Sequence, residues 1–194
     1  DVLAKLLDFI RKNQIEFAFN PIIASGPNST FPHAHVTDRR IGRRDLLLVD
    51  MGMEVNGYKS DLTRIFVFGT IPPSVEKVYK AVWEAQQEAL RVIGDGVSVS
   101  DVDATARKSL KKNGLERYFT HSLGHGVGLE IHELPRLSVR SSQRLKAGMV
   151  VTVEPGVYLK NKFGIRIEDM VLVTEQGCEV LSQRLVSSHP FLLK

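Results

Sequence analysis

A second cysteine is missing from these 194 residues. Cys178 stands alone, so no internal disulfide can form and nothing demands an oxidising compartment. That absence fits the cytoplasm. No apolar run approaches the ~20 residues that cross a bilayer as a helix, so no membrane partner is expected. A strong excess of one charge is missing too: 26 basic residues face 22 acidic ones, a net charge of +4. The sequence pI near 9.2 raises a nucleic-acid-associated factor as one reading. The basic residues are scattered, however, with only short pairs such as Lys111 and Lys112. Nucleic-acid binders concentrate their charge and interleave aromatics. Low-complexity tracts are also absent. With 43% hydrophobic and 25% charged residues, the chain has the make-up of an ordinary globular fold and the length to bury a core.

Several segments carry clear local signals. Leu3, Leu6, Leu7 and Ile10 recur at helical spacing and predict an amphipathic helix over about 1–13. Residues 21–45 are rich in Pro, Gly and polar residues and predict loops with short extended pieces. Leu46 to Met51 reads as a strand, and Asn56-Gly57 then marks a hairpin turn into a second strand through Phe68. Two helices are expected, at about 74–93 and 100–112, the first burying Val75, Val78, Tyr79, Val82 and Ala85. A Gly/His segment follows at 120–133. A second strand pair is predicted at about 149–159 and 164–173, and a last strand at 179–181. The runs LLLVDMG…NGYKSDLTRIFV and MVVTVEPG…FGIRIEDMVLV share a plan. Each is an apolar strand with a carboxylate, a Gly-containing turn, and a strand with a second carboxylate. Two such halves suggest a pseudo-twofold α+β fold with its acidic groups meeting in the middle.

The carboxylates set the chemistry. A two-residue turn at Asn56-Gly57 pairs Val55 with Tyr58 and, counting back, Asp50 with Thr63. Asp61 is two residues from Thr63, so it lies on the face of Asp50 and Thr63. Alone, Asp61 reads as a solvent-facing residue. Together on an apolar hairpin, two carboxylates would repel one another and hold a proton unless a cation neutralised them. Glu154 and Glu168 sit in the second, equally apolar pair, fourteen residues apart, and share a face if the turn between them is regular. His125 stands between Gly124 and Gly126, which lets its backbone approach a crowded centre. Four carboxylates and one neutral imidazole balance two divalent cations, and an oxygen-rich set with one His suits Mn²⁺ or Co²⁺ better than a thiolate site would. Paired cations can activate a water at neutral pH.

At this point the chain closely resembles the pita-bread metallopeptidases of the Xaa-Pro dipeptidase (prolidase) and aminopeptidase P group. The matching phrases are SGPNSTFPHAHVTDRRI, LLLVDMGMEVNGYKSDLTRIF, FTHSLGHGVGLEIHELPR, VVTVEPGVYL and GIRIEDMVLV, spread over about residues 16–175. The resemblance implies an α+β pita-bread fold of pseudo-twofold symmetric halves, with antiparallel sheet covered by helices and a metal site at the centre. It implies two divalent ions, Mn²⁺ first and Co²⁺ or Zn²⁺ as substitutes. Asp50 would bind one, His125 and Glu154 the other, and Asp61 and Glu168 would bridge them. His33 and His132 would contact substrate or stabilise the tetrahedral intermediate, and Glu154 would also shuttle a proton. Arg136 matches an arginine that grips a substrate's C-terminal carboxylate. Arg166 is placed either at the substrate or in support of the metal centre, and Tyr58 and His121 are placed as supporting residues.

The implied activity is hydrolysis of the bond preceding proline in dipeptides or short peptides. Arg136 tips the balance toward a dipeptidase over an aminopeptidase P that acts on Xaa-Pro-Yaa. A homodimer fits the family, residues 1–194 read as one catalytic domain, and the family's usual N-terminal domain lies outside them, with the first helix clipped. A methionine aminopeptidase fits the short Glu–Glu spacing less well. A non-catalytic pita-bread binding module or a creatinase-like hydrolase would have lost ligand residues that are all present here.

Overall fold

The computed structural model describes residues 1–193. Helix α1 (Val2–Asn13) buries none of its residues and ends at Gln14, whose φ of 53° is left-handed. The short strand β1 (Glu16–Phe17) and then β2 (Ile22–Ser25) follow. The first long hairpin comprises β3 (Leu46–Met51), β4 (Met53–Val55), β5 (Tyr58–Lys59) and β6 (Leu62–Phe68). Helices α2 (Pro73–Leu90) and α3 (Val99–Lys112) come next. The remaining strands are β7 (Gly124–Gly126), β8 (Glu133–Leu137), β9 (Val150–Val153), β10 (Gly156–Leu159), β11 (Phe163–Arg166), β12 (Asp169–Thr174), β13 (Gly177–Val180) and β14 (Phe191–Leu193). No helix among the described residues is long and apolar enough to cross a membrane.

Two main sheets result, ordered β14-β6-β3-β2 and β13-β12-β9-β7-β8. All pairings are antiparallel except β14 with β6. The first hairpin has the register that its turn predicts. Asn56 and Gly57 both have positive φ, 53° and 82°, as a tight hairpin turn requires, and Val55 pairs with Tyr58 while Asp50 pairs with Thr63. The second hairpin differs from its expected form. Its strands are not continuous: β9 stops at Val153 and β10 starts at Gly156, while β11 stops at Arg166 and β12 starts at Asp169. Pro155 has no N–H to offer a ladder, which interrupts the first of these strands. The register nevertheless holds across the gap, with Val153 opposite Asp169 and Gly156 opposite Arg166. Glu154 and Glu168 therefore face one another within the interruption, so the turn between them is regular after all.

Helices α2 and α3 pack on the sheets and supply the core. The predicted face of α2 (Val75, Val78, Tyr79, Val82 and Ala85) is buried against Leu46, Leu48, Ile65 and Val67 of the first sheet and Val151, Val153, Val171 and Val173 of the second. Burying each such side chain stabilises the fold by roughly 1.5–3 kcal/mol. One core thus serves both halves. It leaves the hairpin interruptions, where the carboxylates sit, as the place where the halves meet: Glu168 N–H donates to Thr63 C=O at 3.3 Å.

Candidate metal centre

Three of the four acidic side chains sit at a break in a ladder, and the fourth, Asp50, lies within β3, paired with Ile22 and Thr63. Asp61 lies in the gap between β5 and β6, Glu154 between β9 and β10, and Glu168 between β11 and β12. Backbone donors freed by these gaps find partners in other segments, which fixes the carboxylates. Glu154 N–H donates to Leu123 C=O at 2.8 Å, and Asp61 N–H rests on the Met170 sulfur at 3.1 Å. His125 arrives on β7. A Cβ on Gly124 would stand 2.0 Å from Thr152 O, and one on Gly126 2.5 Å from Leu134 O. The two glycines therefore make room for neighbouring strand backbone.

These residues converge on one cleft of about 510 Å³, which is also lined by His33, His121, His132, Arg136 and Arg166. Ligand atoms of Asp61, His125 and Glu168 lie within 4.8 Å of one another. His125 Nε2 is 3.6 Å from Asp61 Oδ2 and 3.6 Å from Glu154 Oε1. Its Nδ1 is 3.0 Å from Gly126 O, which suits an Nδ1–H donor and leaves the Nε2 lone pair facing the carboxylates. The His132 ring packs edge-on against His125 at 4.5 Å between centroids. Arg136 pairs directly with His125 across β7 and β8, so both side chains rise from one face of the sheet. Tyr58 sits exposed at the hairpin tip, away from the cleft lining.

Electrostatics shows what the cluster lacks. Burial, then Glu168, Asp50 and Glu154, push the Asp61 carboxyl up to about 10. Burial and then Asp50 push Glu168 up to about 8, and burial and then Glu168 hold Glu154 well above the usual carboxylate range. Burial lowers His125 to about 4, so its imidazole is neutral at physiological pH. Asp50 Oδ1 is buried and has no hydrogen-bond partner among the described residues. Crowded carboxylates, a neutral imidazole and an unpartnered oxygen are a donor set that fits divalent cations.

Among the described residues, Arg166 is the cation in direct contact with the carboxylate cluster. It is buried and donates to Asp50 Oδ2, to Thr63 Oγ1 at 3.1 Å, to Tyr158 OH at 2.7 Å and to Pro32 O at 3.2 Å. Thr63 in turn donates to Glu168 Oε2 at 2.6 Å. His121 Nε2 lies 2.9 Å from Tyr158 OH and extends this chain of contacts.

The sequence reading missed an outer ring of polar groups. Arg64 is buried and donates to Glu168 O and to Asp169 Oδ1. Gln86 of α2 donates to Val153 O at 3.1 Å, Ile167 O at 3.3 Å and Asp169 Oδ2 at 3.0 Å. Asp103 of α3 accepts from Leu123 N–H at 2.9 Å and is paired with Arg107, which donates to Phe119 O and His121 O. A signal existed for two of them. Arg64 interrupts an apolar strand, and Gln86 falls four residues after Val82 on the apolar stripe of α2.

Comparison with known proteins identifies relatives of this fold. The model of metallopeptidase family M24 matches residues 1–175. The Xaa-Pro dipeptidase of Pyrococcus furiosus is 45% identical over 184 residues, covering 94% of this chain and 53% of that protein. The Xaa-Pro dipeptidase of Pyrococcus horikoshii is 41% identical, covering 94% and 52%. The crystal structure of an X-Pro aminopeptidase from Thermotoga maritima superposes with a TM-score of 0.92 at 39% identity, covering 98% of this chain and 54% of that one. The chain spans about half the length of the curated relatives it matches. Its fold is the α+β pita-bread arrangement of the solved prolidases. With most of its length matched by the family model and with relatives well above 30% identity, the chain belongs to metallopeptidase family M24.

Proposed function

We propose that this chain carries the catalytic domain of an enzyme that hydrolyses the peptide bond preceding proline in dipeptides and short peptides, using two divalent metal ions. The observation that carries the reading is the convergence of Asp50, Asp61, His125, Glu154 and Glu168 on one cleft, three of whose carboxylates are forced toward protonation when no cation is near. These five residues would hold the metals, Mn²⁺ by preference and Co²⁺ or Zn²⁺ as substitutes. When bound, the pair supplies a water activated for attack at neutral pH.

The remaining work falls to side chains. His33 and His132 stand in the cleft wall, where imidazole N–H groups can donate to the carbonyl oxygen as charge builds on it. The proline nitrogen has no proton of its own and must gain one to leave. Glu154 takes a proton from the attacking water and delivers it to that nitrogen. Arg136 offers a planar fork for the carboxylate that ends a dipeptide. Of the two roles open to Arg166, support of Asp50 fits better, because Asp50, Thr63, Tyr158 and Pro32 already engage its donors. The similarity to the Thermotoga X-Pro aminopeptidase favours a second reading, release of the first residue from Xaa-Pro-Yaa peptides.

Hydrolysis of Xaa-Pro dipeptides and Xaa-Pro-Yaa tripeptides, with Mn²⁺ and with chelator, tests the proposal. The intact protein should turn over dipeptides faster, only with metal, and Asp61→Ala should lose both bound metal and activity. Unchanged activity in chelator or in the Asp61 variant would sink the mechanism.

A further inference from the structure

Beside the active-site cleft lies a second cavity of about 650 Å³. Arg136, Ser122 and His121 line both cavities, so they form a shared wall. The far side brings Arg107, Arg140, Ser138 and Ser141, and no carboxylate lines the cavity among the described residues. Arg107 is committed, because Asp103 matches its charge and two backbone carbonyls take its N–H groups. His121 adds no charge, since its Nδ1 is 2.8 Å from Ser122 O, its Nε2 contacts Tyr158 and burial lowers it to about 4. Two cations therefore remain. Among the described residues, the Arg136 guanidinium hydrogen-bonds only to Ser122 Oγ, at 3.2 Å, and the exposed Arg140 guanidinium has no hydrogen-bond or ion-pair partner. A turn puts Arg140 there: β8 ends at Leu137, and Ser141 N–H closes back on Ser138 O at 2.9 Å. Guanidinium and hydroxyl donors without an acid are the surroundings of an oxyanion.

We propose that this cavity is a subsite for the C-terminal carboxylate of substrates that extend one or two residues beyond proline. The inference rests on the proline-directed peptidase reading above. A dipeptide ends on proline, so its carboxylate meets Arg136 from the active-site side. Each added residue carries the carboxylate a further ~3.3–3.6 Å along an extended chain. In the second cavity, Arg140 is the lining cation without a partner among the described residues. The domain thus reads the end of a dipeptide with Arg136 and the end of a longer peptide with Arg136 and Arg140 together.

The test compares kcat/KM for an Xaa-Pro dipeptide, an Xaa-Pro-Yaa tripeptide acid and the same tripeptide as its C-terminal amide, in the intact Mn²⁺-loaded protein and in its Arg140→Gln variant. The acid should exceed the amide by about tenfold in the wild type, and the variant should cut that ratio by about fivefold, mainly through KM. Inorganic sulfate should compete with the acid tripeptide and not with the amide. Equal rates for acid and amide, or an acid-to-amide ratio that Arg140→Gln leaves alone, would overturn the subsite. Sulfate altering acid and amide turnover alike would overturn it in favour of a site for a separate anion. Absent turnover of the dipeptide would overturn the peptidase reading, and this inference with it.

Discussion

Asp50 shows what one buried carboxylate demands of its surroundings. One oxygen accepts from Arg166, and the other has no partner among the described residues. Arg166 can serve Asp50 because a planar fork reaches Thr63, Tyr158 and Pro32 at the same time. A lysine would keep the charge and lose the fork. Arg166→Lys should therefore weaken metal binding by roughly 10–100-fold, with activity falling in step at limiting metal, and a metal titration alongside turnover checks it. Affinity equal to wild type would remove Arg166 from the support of the site. The five proposed ligand positions were legible as residues because carboxylates in apolar strands and a Gly-flanked His depart from local pattern, whereas Arg136 was singled out only by the family resemblance. The partners of Arg166 were not. Tyr158 and Pro32 lie 8 and 134 residues from it in sequence, and only the folded chain brings them together.

At the scale of elements, the interrupted hairpins matter more than the strands. Hydrophobic patterning reads straight through residues 149–159 and 164–173, because Val150, Val151, Val153, Val157 and Leu159 keep the strand signature on both sides of the gap. What patterning cannot show is where a ladder stops so that a carboxylate can turn inward. Helix α2 holds that gap open in its working shape. Gln86 donates to Val153 O and Ile167 O, the carbonyls just before Glu154 and Glu168, and to Asp169 just after. Gln86→Leu keeps the volume and leaves those acceptors short of a donor. The expected cost is about 2–4 kcal/mol, a fall of roughly 4–16 °C in Tm for a domain of this size. Metal affinity should drop as well, since the strands carrying both Glu residues lose a shared anchor. Thermal unfolding with and without Mn²⁺ measures both effects. An unchanged Tm would mean that the amide is replaceable by packing alone.

For the whole molecule, the consequence is a stability that depends on pH and metal together. Without a cation, Asp61 at about 10, Glu168 at about 8 and the raised Glu154 are carboxyls whose folded values lie above their unfolded ones. Stability from such groups is full below the unfolded carboxylate range near pH 4 and is lost as pH climbs toward the folded values. The lowered imidazoles act in the opposite sense. His121 and His125, each at about 4, contribute stability above their unfolded value near 6.5 that is lost as pH falls. A single melting curve against pH mixes the two trends, so the informative quantity is the difference between metal-loaded and chelated protein. His121 cancels in that difference, because Tyr158 and Ser122 hold it in both forms. His125 is already neutral above about pH 5 and adds little there. The carboxylates remain, and binding metal to them displaces their protons. The rise in Tm on adding Mn²⁺ to chelator-stripped protein should therefore grow between about pH 5 and pH 8, with protons released on binding across that range. Scanning fluorimetry at fixed free Mn²⁺ gives the first measurement and calorimetry in buffers of different ionisation enthalpy the second. An increment that stays flat or shrinks with pH would mean that the ion is not held by this carboxylate cluster.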